Sequence, residues 1–152
     1  SPTEKQSLSL RPVTADTVRE ICALSDTLPE AQHRFVADNA VSMAQAYFEP
    51  KAWFRAIYFG DKPVGFVMLY DDDEKQEYFL WRLMIAGPHQ GRGYGRGVIE
   101  LLLDYVRTRP GATALLTSFV PDEGGPGKFY RRLGFTPTGE ILEGETVVRL
   151  DL

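Results

Sequence analysis

The stretch Gln90-Gly91-Arg92-Gly93-Tyr94-Gly95 constrains this chain more than any other. It follows an apolar, strand-like segment over residues 78–85. It opens a helical pattern carried by Val98, Leu101, Leu102, Tyr105 and Val106. A glycine-rich turn from strand to helix exposes several backbone N–H groups at a helix N-terminus. Together with the helix dipole and nearby arginines, those donors attract phosphate.

The spacing excludes two common phosphate loops. A dinucleotide fingerprint needs G-x-G-x-x-G. Counting from Gly91 puts Arg96 at the last position, and counting from Gly93 puts Val98 there. A Walker A loop needs G-x-x-x-x-G-K-[ST]. The Gly127-Lys128 pair fails that test, because Asp122 stands at the first glycine and Phe129 at the Ser/Thr. What remains is Q-x-x-G-x-G, with a further glycine at Gly97.

Composition narrows the class. A chain of 152 residues, 43% hydrophobic and 25% charged, is long enough for one globular domain with a real core. No apolar run approaches the roughly 20 residues that span a bilayer. Ser1-Pro2-Thr3-Glu4-Lys5 lacks the pattern of a signal peptide. The single cysteine, Cys22, has no internal disulfide partner, so a cytoplasmic location is expected. Cys22 falls on the apolar side of a helix with Val18 and Ile21, which reads as packing. A net charge of −4 speaks against a general nucleic-acid binder and suits a cationic small substrate. Two histidines without a His/Cys cluster give no support for a metal site.

Period and punctuation predict the elements. A strand over 7–13 is followed by a helix over 15–25 capped by Thr14. Residues 26–38 read as a loop with at most a short helical turn. Asn39 or Asp38 caps a second helix that runs to about Phe48 and stops at Pro50. Strands are expected at 52–59, 64–70 and 77–86, the last two apolar on both faces. The glycine loop and a helix to about Thr108 come next, then a strand over 113–120. A loop over 121–127 leads to a short helix over 128–133, closed by Gly134. Strands over 135–137 and 146–152 finish the chain. The order β-α-α-β-β-β-α-β-α-β-β predicts an α/β fold with a mixed sheet in a single domain over residues 1–152.

Two motifs in this order carry a family resemblance. The loop QGRGYG resembles the pyrophosphate loop of the GNAT acetyltransferases. Gly127-Lys128-Phe129-Tyr130-Arg131-Arg132-Leu133-Gly134-Phe135 resembles that family's FY-x-x-LGF segment. Trp81-Arg82-Leu83-Met84-Ile85 and the loop together look similar to bacterial spermine/spermidine acetyltransferases. The resemblance implies the acyl-CoA N-acyltransferase (GNAT) fold, acetyl-CoA as cofactor and transfer of acetyl to an amine. It also implies a homodimer by family habit. Many members place an Asn before the tyrosine helix. Here that segment is Asp122-Glu123-Gly124-Gly125-Pro126, so its cofactor contacts do not carry over.

The resemblance assigns the cofactor to Leu83, Met84 and Ile85 of the strand and to the loop residues Gln90, Gly91, Arg92, Gly93, Tyr94, Gly95, Arg96 and Gly97, with Lys128 and Tyr130. Arg92, Arg96 and Lys128 read equally well as solvated surface cations. Transfer needs a deprotonated amine, a stabilised oxyanion and a protonated leaving thiolate. Tyr130 is the candidate acid, because a phenol stays protonated at neutral pH; packing is the alternative role. The backbone N–H of Leu83 is the implied oxyanion donor. The glutamate that some members carry eleven residues before the loop glutamine is Phe79 here. Glu77 shares its strand face by period 2 and is the nearest substitute, with Glu123 as another candidate. Both also read as surface carboxylates.

The acceptor should meet residues 28–53, where His33, Tyr47, Glu49 and Trp53 are available, and Trp81 on the strand. Aromatic faces and carboxylates suit a cation. The acidic turn Asp71-Asp72-Asp73-Glu74 either draws polyamines or is a solvated hairpin tip. The expected activity is N-acetylation of a small primary amine, a polyamine above all, with no nucleic acid or membrane partner. A protein or peptide N-acetyltransferase and a non-catalytic acyl-CoA sensor are the competing readings.

Overall fold

The structure is a computed structural model that describes residues 7–152. Residues 1–6, where the sequence was read for a targeting signal, lie outside it. Seven strands form one sheet: β1 (Leu8–Arg11), β2 (Ala52–Phe59), β3 (Lys62–Asp72), β4 (Glu77–Ile85), β5 (Ala114–Phe119), β6 (Thr136–Leu142) and β7 (Glu145–Asp151). Their order across the sheet is β1-β2-β3-β4-β5-β7-β6. Every neighbouring pair is antiparallel except β4 and β5. The sheet is therefore mixed, as the element order predicts. The helices are α1 (Val18–Ala23), α2 (Glu30–His33), α3 (Asn39–Tyr47), α4 (Tyr94–Arg107) and α5 (Gly127–Arg132).

Burial on both faces organises the layers. In β3, Val67 and Leu69 pack toward one cluster, which Val98, Ile99, Leu102 and Val106 of α4 complete. Phe66 and Met68 pack the other way, with Ile21 of α1 and Met43 and Ala46 of α3. A strand covered on both sides needs apolar residues at every position, and β3 supplies them.

β4 breaks its own alternation. Met68 pairs with Arg82 and Leu69 with Leu80, which leaves Trp81 as the extra residue of a bulge. Tyr78 and Leu80 face the α4 cluster before the bulge, and Leu83 and Ile85 face it afterwards. Trp81 joins the opposite cluster. Arg82 also turns that way, because its Nη2 donates to Gln45 Oε1 of α3 at 3.1 Å. Two consecutive side chains thus share one face.

Several local expectations are corrected. Regular helix starts at Val18 rather than beside Thr14. The Thr14 carbonyl accepts the Val18 N–H at 2.8 Å, and the Thr17 hydroxyl turns back to accept the Thr14 N–H at 3.0 Å. In this six-residue helix Ile21 alone is fully buried, Val18 is exposed and Cys22 is half-buried. Neither Asp38 nor Asn39 caps α3 through its side chain. Asn39 is buried instead. Its N–H donates to Ser25 Oγ at 2.9 Å and its Nδ2 to the Ile21 carbonyl at 2.8 Å, tying α3 to α1. The loop over 26–38, by contrast, holds the short helical turn expected there, α2. β6 runs five residues past its expected end, from Pro137 to Leu142. Every one of its residues is exposed, so its sequence carries no apolar alternation to reveal it.

Candidate active site

β4 and β5 run side by side for two residue pairs, Phe79 with Leu116 and Leu80 with Thr117. Beyond them the strands part. A cleft of about 970 Å³ opens there, lined by both strands, the glycine loop, α5 and the α2–α3 connection. Thr117 fastens the point of parting by donating its hydroxyl to the Leu80 carbonyl at 2.9 Å.

The glycine loop forms one wall. Gly91 and Gly93 have φ of +78° and +80°, with open space where a Cβ would stand. Side chains at these positions would be strained, and the loop's open face would close. The first helical hydrogen bond of α4 runs from the Gly97 N–H to the Gly93 carbonyl at 3.2 Å. The N–H groups of the preceding turn have no helical acceptor, as an anion site requires. Arg96, His89 and Arg132 also line the cleft. Burial, then Lys62 and Arg92, push the His89 imidazole below its ordinary value.

Gln90 has an inward task. Its Nε2 donates to the Ile85 carbonyl at 2.9 Å and to Gln32 Oε1 at 2.8 Å, and Gln32 Nε2 returns a bond to Gln90 Oε1 at 3.1 Å. The loop is thereby tied to β4 and to α2. Gly97 lies outside the cleft. A Cβ there would stand 2.4 Å from Leu8 Cδ1, so the glycine serves close packing of α4 on β1.

Tyr130 stands on the opposite wall. Helix α5 ends in a Schellman arrangement, with Gly134 at φ +100°. The Phe135 N–H donates to the Tyr130 carbonyl at 3.1 Å, and the Gly134 N–H to that of Arg131 at 3.0 Å. The accompanying apolar contact is between the Phe135 and Tyr130 rings, 5.3 Å apart. Phe119 and Phe129 close around the same ring at 5.9 and 5.3 Å. Burial pushes the phenol up to about 12, with the Thr117 hydroxyl pulling slightly the other way. It holds its proton throughout the neutral range.

Of the residues singled out in the sequence, Leu83, Met84, Ile85, Gln90, Gly91, Gly93, Tyr94, Gly95, Arg96, Tyr130, His33 and Trp81 line the cleft. Arg92 is exposed on the loop beside it. Lys128 and Glu123 border a separate hollow of about 400 Å³ by the loop before α5. Glu77 sits at the hairpin end of β4, opposite Asp72. At about 3.3 Å per residue that is roughly 20 Å from Leu83. Tyr47 is 85% exposed. Glu49 accepts the Lys51 N–H at 3.1 Å. Trp53 stacks on Tyr105 under the far end of α4, with ring centroids 4.6 Å apart. The acidic turn is neither a free anionic patch nor wholly solvated. Asp71 takes Arg109 and the Tyr105 hydroxyl, and Asp72 takes Lys51 at 2.6 Å.

Sequence reasoning missed a carboxylate in the cleft. Glu145 opens β7, which inserts between β5 and β6, and its Oε1 accepts the Ser118 hydroxyl at 3.3 Å. Glu145 and Ser118 line the cleft with Arg82 and Arg34. In sequence Glu145 is one acidic residue beside a turn, and only strand insertion brings it to the site. Among the described residues no three His, Cys, Asp or Glu side chains converge as metal ligands do, and no helix is long and apolar enough to cross a membrane.

Comparison with known proteins agrees with this architecture. The uncharacterized N-acetyltransferase YlbP of Bacillus subtilis (strain 168) is 38% identical over 69 residues, 38% of this chain and 43% of that protein. The match thus spans less than half of that relative's length. The spermine/spermidine N(1)-acetyltransferase of the same organism is 25% identical over 157 residues, 96% of this chain and 99% of its own. RimL, a ribosomal L7/L12 alpha-N-protein acetyltransferase solved in complex with coenzyme A, has a TM-score of 0.77 at 13% identity, covering 99% of this chain and 97% of its own. The model of the acetyltransferase (GNAT) family matches residues 18–135, the span from α1 through the glycine loop to the Phe135 that closes α5. By that match the chain belongs to the acetyltransferase (GNAT) family.

Proposed function

We propose that this protein is an acetyl-CoA-dependent N-acetyltransferase acting on a small primary amine. One observation carries the reading: the parted strands β4 and β5 open a cleft with unpartnered helix N–H donors on one wall and a buried, protonated Tyr130 on the other.

The residues fit the cofactor. The open faces of Gly91 and Gly93, the first-turn N–H groups of α4 and the Arg96 guanidinium suit its diphosphate. Arg92 on the loop is placed to assist. Past Leu80, the edge of β4 that faces β5 has no strand partner. Leu83 and Ile85 therefore offer main-chain groups to the pantetheine chain and the thioester carbonyl, while the Met84 carbonyl faces Gly65 of β3. Acetyl-CoA supplies an activated acetyl thioester to this site.

The chain's own groups handle the protons. An acceptor ammonium loses two protons as its nitrogen gains the acetyl group. One proton ends on the departing sulfur, whose C–S bond breaks as the C–N bond forms, and Tyr130 delivers it. The other goes to solvent, and Glu145 is the carboxylate of the cleft suited to pass it on. Glu77 and Glu123 stand outside the cleft and are weaker candidates for that role.

For the acceptor, the full-length likeness to a spermine/spermidine enzyme supports a polyamine. The fold shared with RimL raises a protein N-terminus as a second reading. A cytoplasmic location belongs to the same proposal, supported by a lone cysteine without a disulfide partner.

Free-thiol release from acetyl-CoA against spermidine, spermine, aminoglycosides, amino acids and a lysine peptide tests the reading. Turnover with one class establishes the enzyme. Acetyl-CoA binding without release from any class reduces the protein to an acyl-CoA sensor. Failure to bind acetyl-CoA overturns the assignment of the glycine loop.

A further inference from the structure

The cleft has two sides. Tyr130 and the glycine loop lie with α4 and α5. Trp81 and Arg82 lie toward α3, and Ser118 and Glu145 line the same cleft. The charges on this second side do not resemble a polyamine site. Arg82 lines it, Arg34 lines the same cleft, and Glu145 is the one carboxylate among the residues lining the cleft. A chain of ammonium groups would meet like charge.

Arg82 is the telling residue. The bulge at Trp81 turns it to the α3 side. Its Nη1 donates to the Trp81 carbonyl at 3.2 Å and its Nη2 to the neutral Gln45 amide at 3.1 Å. Its Nε is buried and has no acceptor. Among the described residues no carboxylate pairs with this guanidinium, although Glu145 is near enough to act on it through space. A half-buried guanidinium with no directly paired carboxylate is less favourable than one with a carboxylate against it. A ligand carboxylate entering the cleft that Arg82 lines supplies that charge. Glu145, held by Ser118, presents the complementary charge across the same space.

We propose that the acceptor is a small amino carboxylate, whose ammonium is received by Glu145 and whose carboxylate is received by Arg82. The inference rests on the transferase reading and narrows its substrate class. Arg82 then acts as a binding residue that selects acceptors, while Glu145 faces the reacting nitrogen.

The test uses the full chain, acetyl-CoA and initial rates of thiol release. The acceptors are a series of α- and ω-amino acids, their carboxamides and spermidine. At least one amino acid should exceed its own carboxamide and spermidine in kcat/KM by about tenfold or more, the usual scale for a lost charged hydrogen bond. Arg82→Gln should raise KM for that amino acid by about tenfold or more and leave its kcat, the carboxamide KM and acetyl-CoA binding unchanged. Arg82→Lys should recover part of the loss. Glu145→Gln should lower kcat with acid and amide alike. Equal use of acid and amide by the wild-type chain overturns the proposal without recourse to any variant. So does an Arg82→Gln effect that falls equally on both. Release with spermidine alone overturns this inference and leaves the transferase reading standing. Release with no amine overturns both.

Discussion

β4 ends in two opposite ways. At its hairpin end the buried polar groups are answered. Asp71 takes the Tyr105 hydroxyl and Arg109 Nε, the latter at 3.0 Å. The side chain of Asp72, 2% exposed, takes Lys51 and the Lys75 N–H. At the loop end the strand parts from β5 and leaves backbone donors, Arg82 Nε and a cleft unanswered. Each end holds a tyrosine whose phenol is pushed up to about 12. Tyr105 is raised by burial and then by its bond to Asp71, whereas Tyr130 is raised by burial among rings. A perturbed group whose partner is already present is a fastener. One perturbed by burial at the wall of an open cleft, with the Thr117 hydroxyl as its polar neighbour, keeps hydrogen-bonding capacity for a ligand.

The tyrosines give the largest expected contrast. Tyr130→Phe should lower kcat by about 10²-fold or more, the ordinary scale for a positioned acid, with little change in Tm. Tyr105→Phe should leave kcat intact and cost roughly 1–3 kcal/mol in urea unfolding, because the Asp71 oxygen loses its donor. Equal kinetic losses in the two variants would erase the contrast. The alkaline limb of the wild-type kcat that reports Tyr130 should lie near 12 rather than at the ordinary phenol value of 10.0.

Two glycines of α4 sharpen the same comparison. Gly93→Val forces a β-branched residue to φ +80° on the cleft wall. It should weaken acetyl-CoA binding by about tenfold in calorimetry, on the scale of 1–3 kcal/mol of backbone strain and lost access. Gly97→Val drives its Cβ against Leu8. It should cost about 1–3 kcal/mol of stability and leave cofactor affinity in the surviving fold unchanged.

The smallest effect is electrostatic. The bond from Lys51 holds the Asp72 carboxyl below its ordinary 3.8. A depressed carboxyl contributes stability above its unfolded value and loses that contribution as pH falls through the folded one. The stabilisation should therefore be complete at neutral pH and fade below about pH 4. Lys51 is raised above 10.5 by the same bond, so its share is complete below that value and fades only above it. Asp72→Asn should flatten the acid limb of Tm against pH and leave activity unaltered. An unchanged acid limb would place the pair among surface ion pairs of no consequence.

Residues close in sequence made much of this site legible. Gln90 to Gly95, the apolar stripe of α4 and the Phe129–Phe135 segment each act within one turn or one helix, where local spacing sets geometry. Glu145 was not legible, because its place beside Ser118 depends on β7 entering the sheet between β5 and β6. Glu77 drew notice through period 2, but it shares the strand and not the cleft. Trp53 and Glu49 fell in the expected span of chain, yet β2 turns Trp53 under the far end of α4.

The sequence by itself determined the order of elements, the mixed α/β class, the glycine-rich turn that opens α4 and the capped helix that holds Tyr130. These follow from backbone preferences and apolar periods that operate over a few residues. Tertiary structure alone decided that β4 and β5 part after two residue pairs, that a bulge turns Arg82 toward α3, and that Glu145 lines the same cleft. Those outcomes depend on strand register and sheet order, which are settled by contacts between residues far apart in the chain and leave no mark in any short stretch of it.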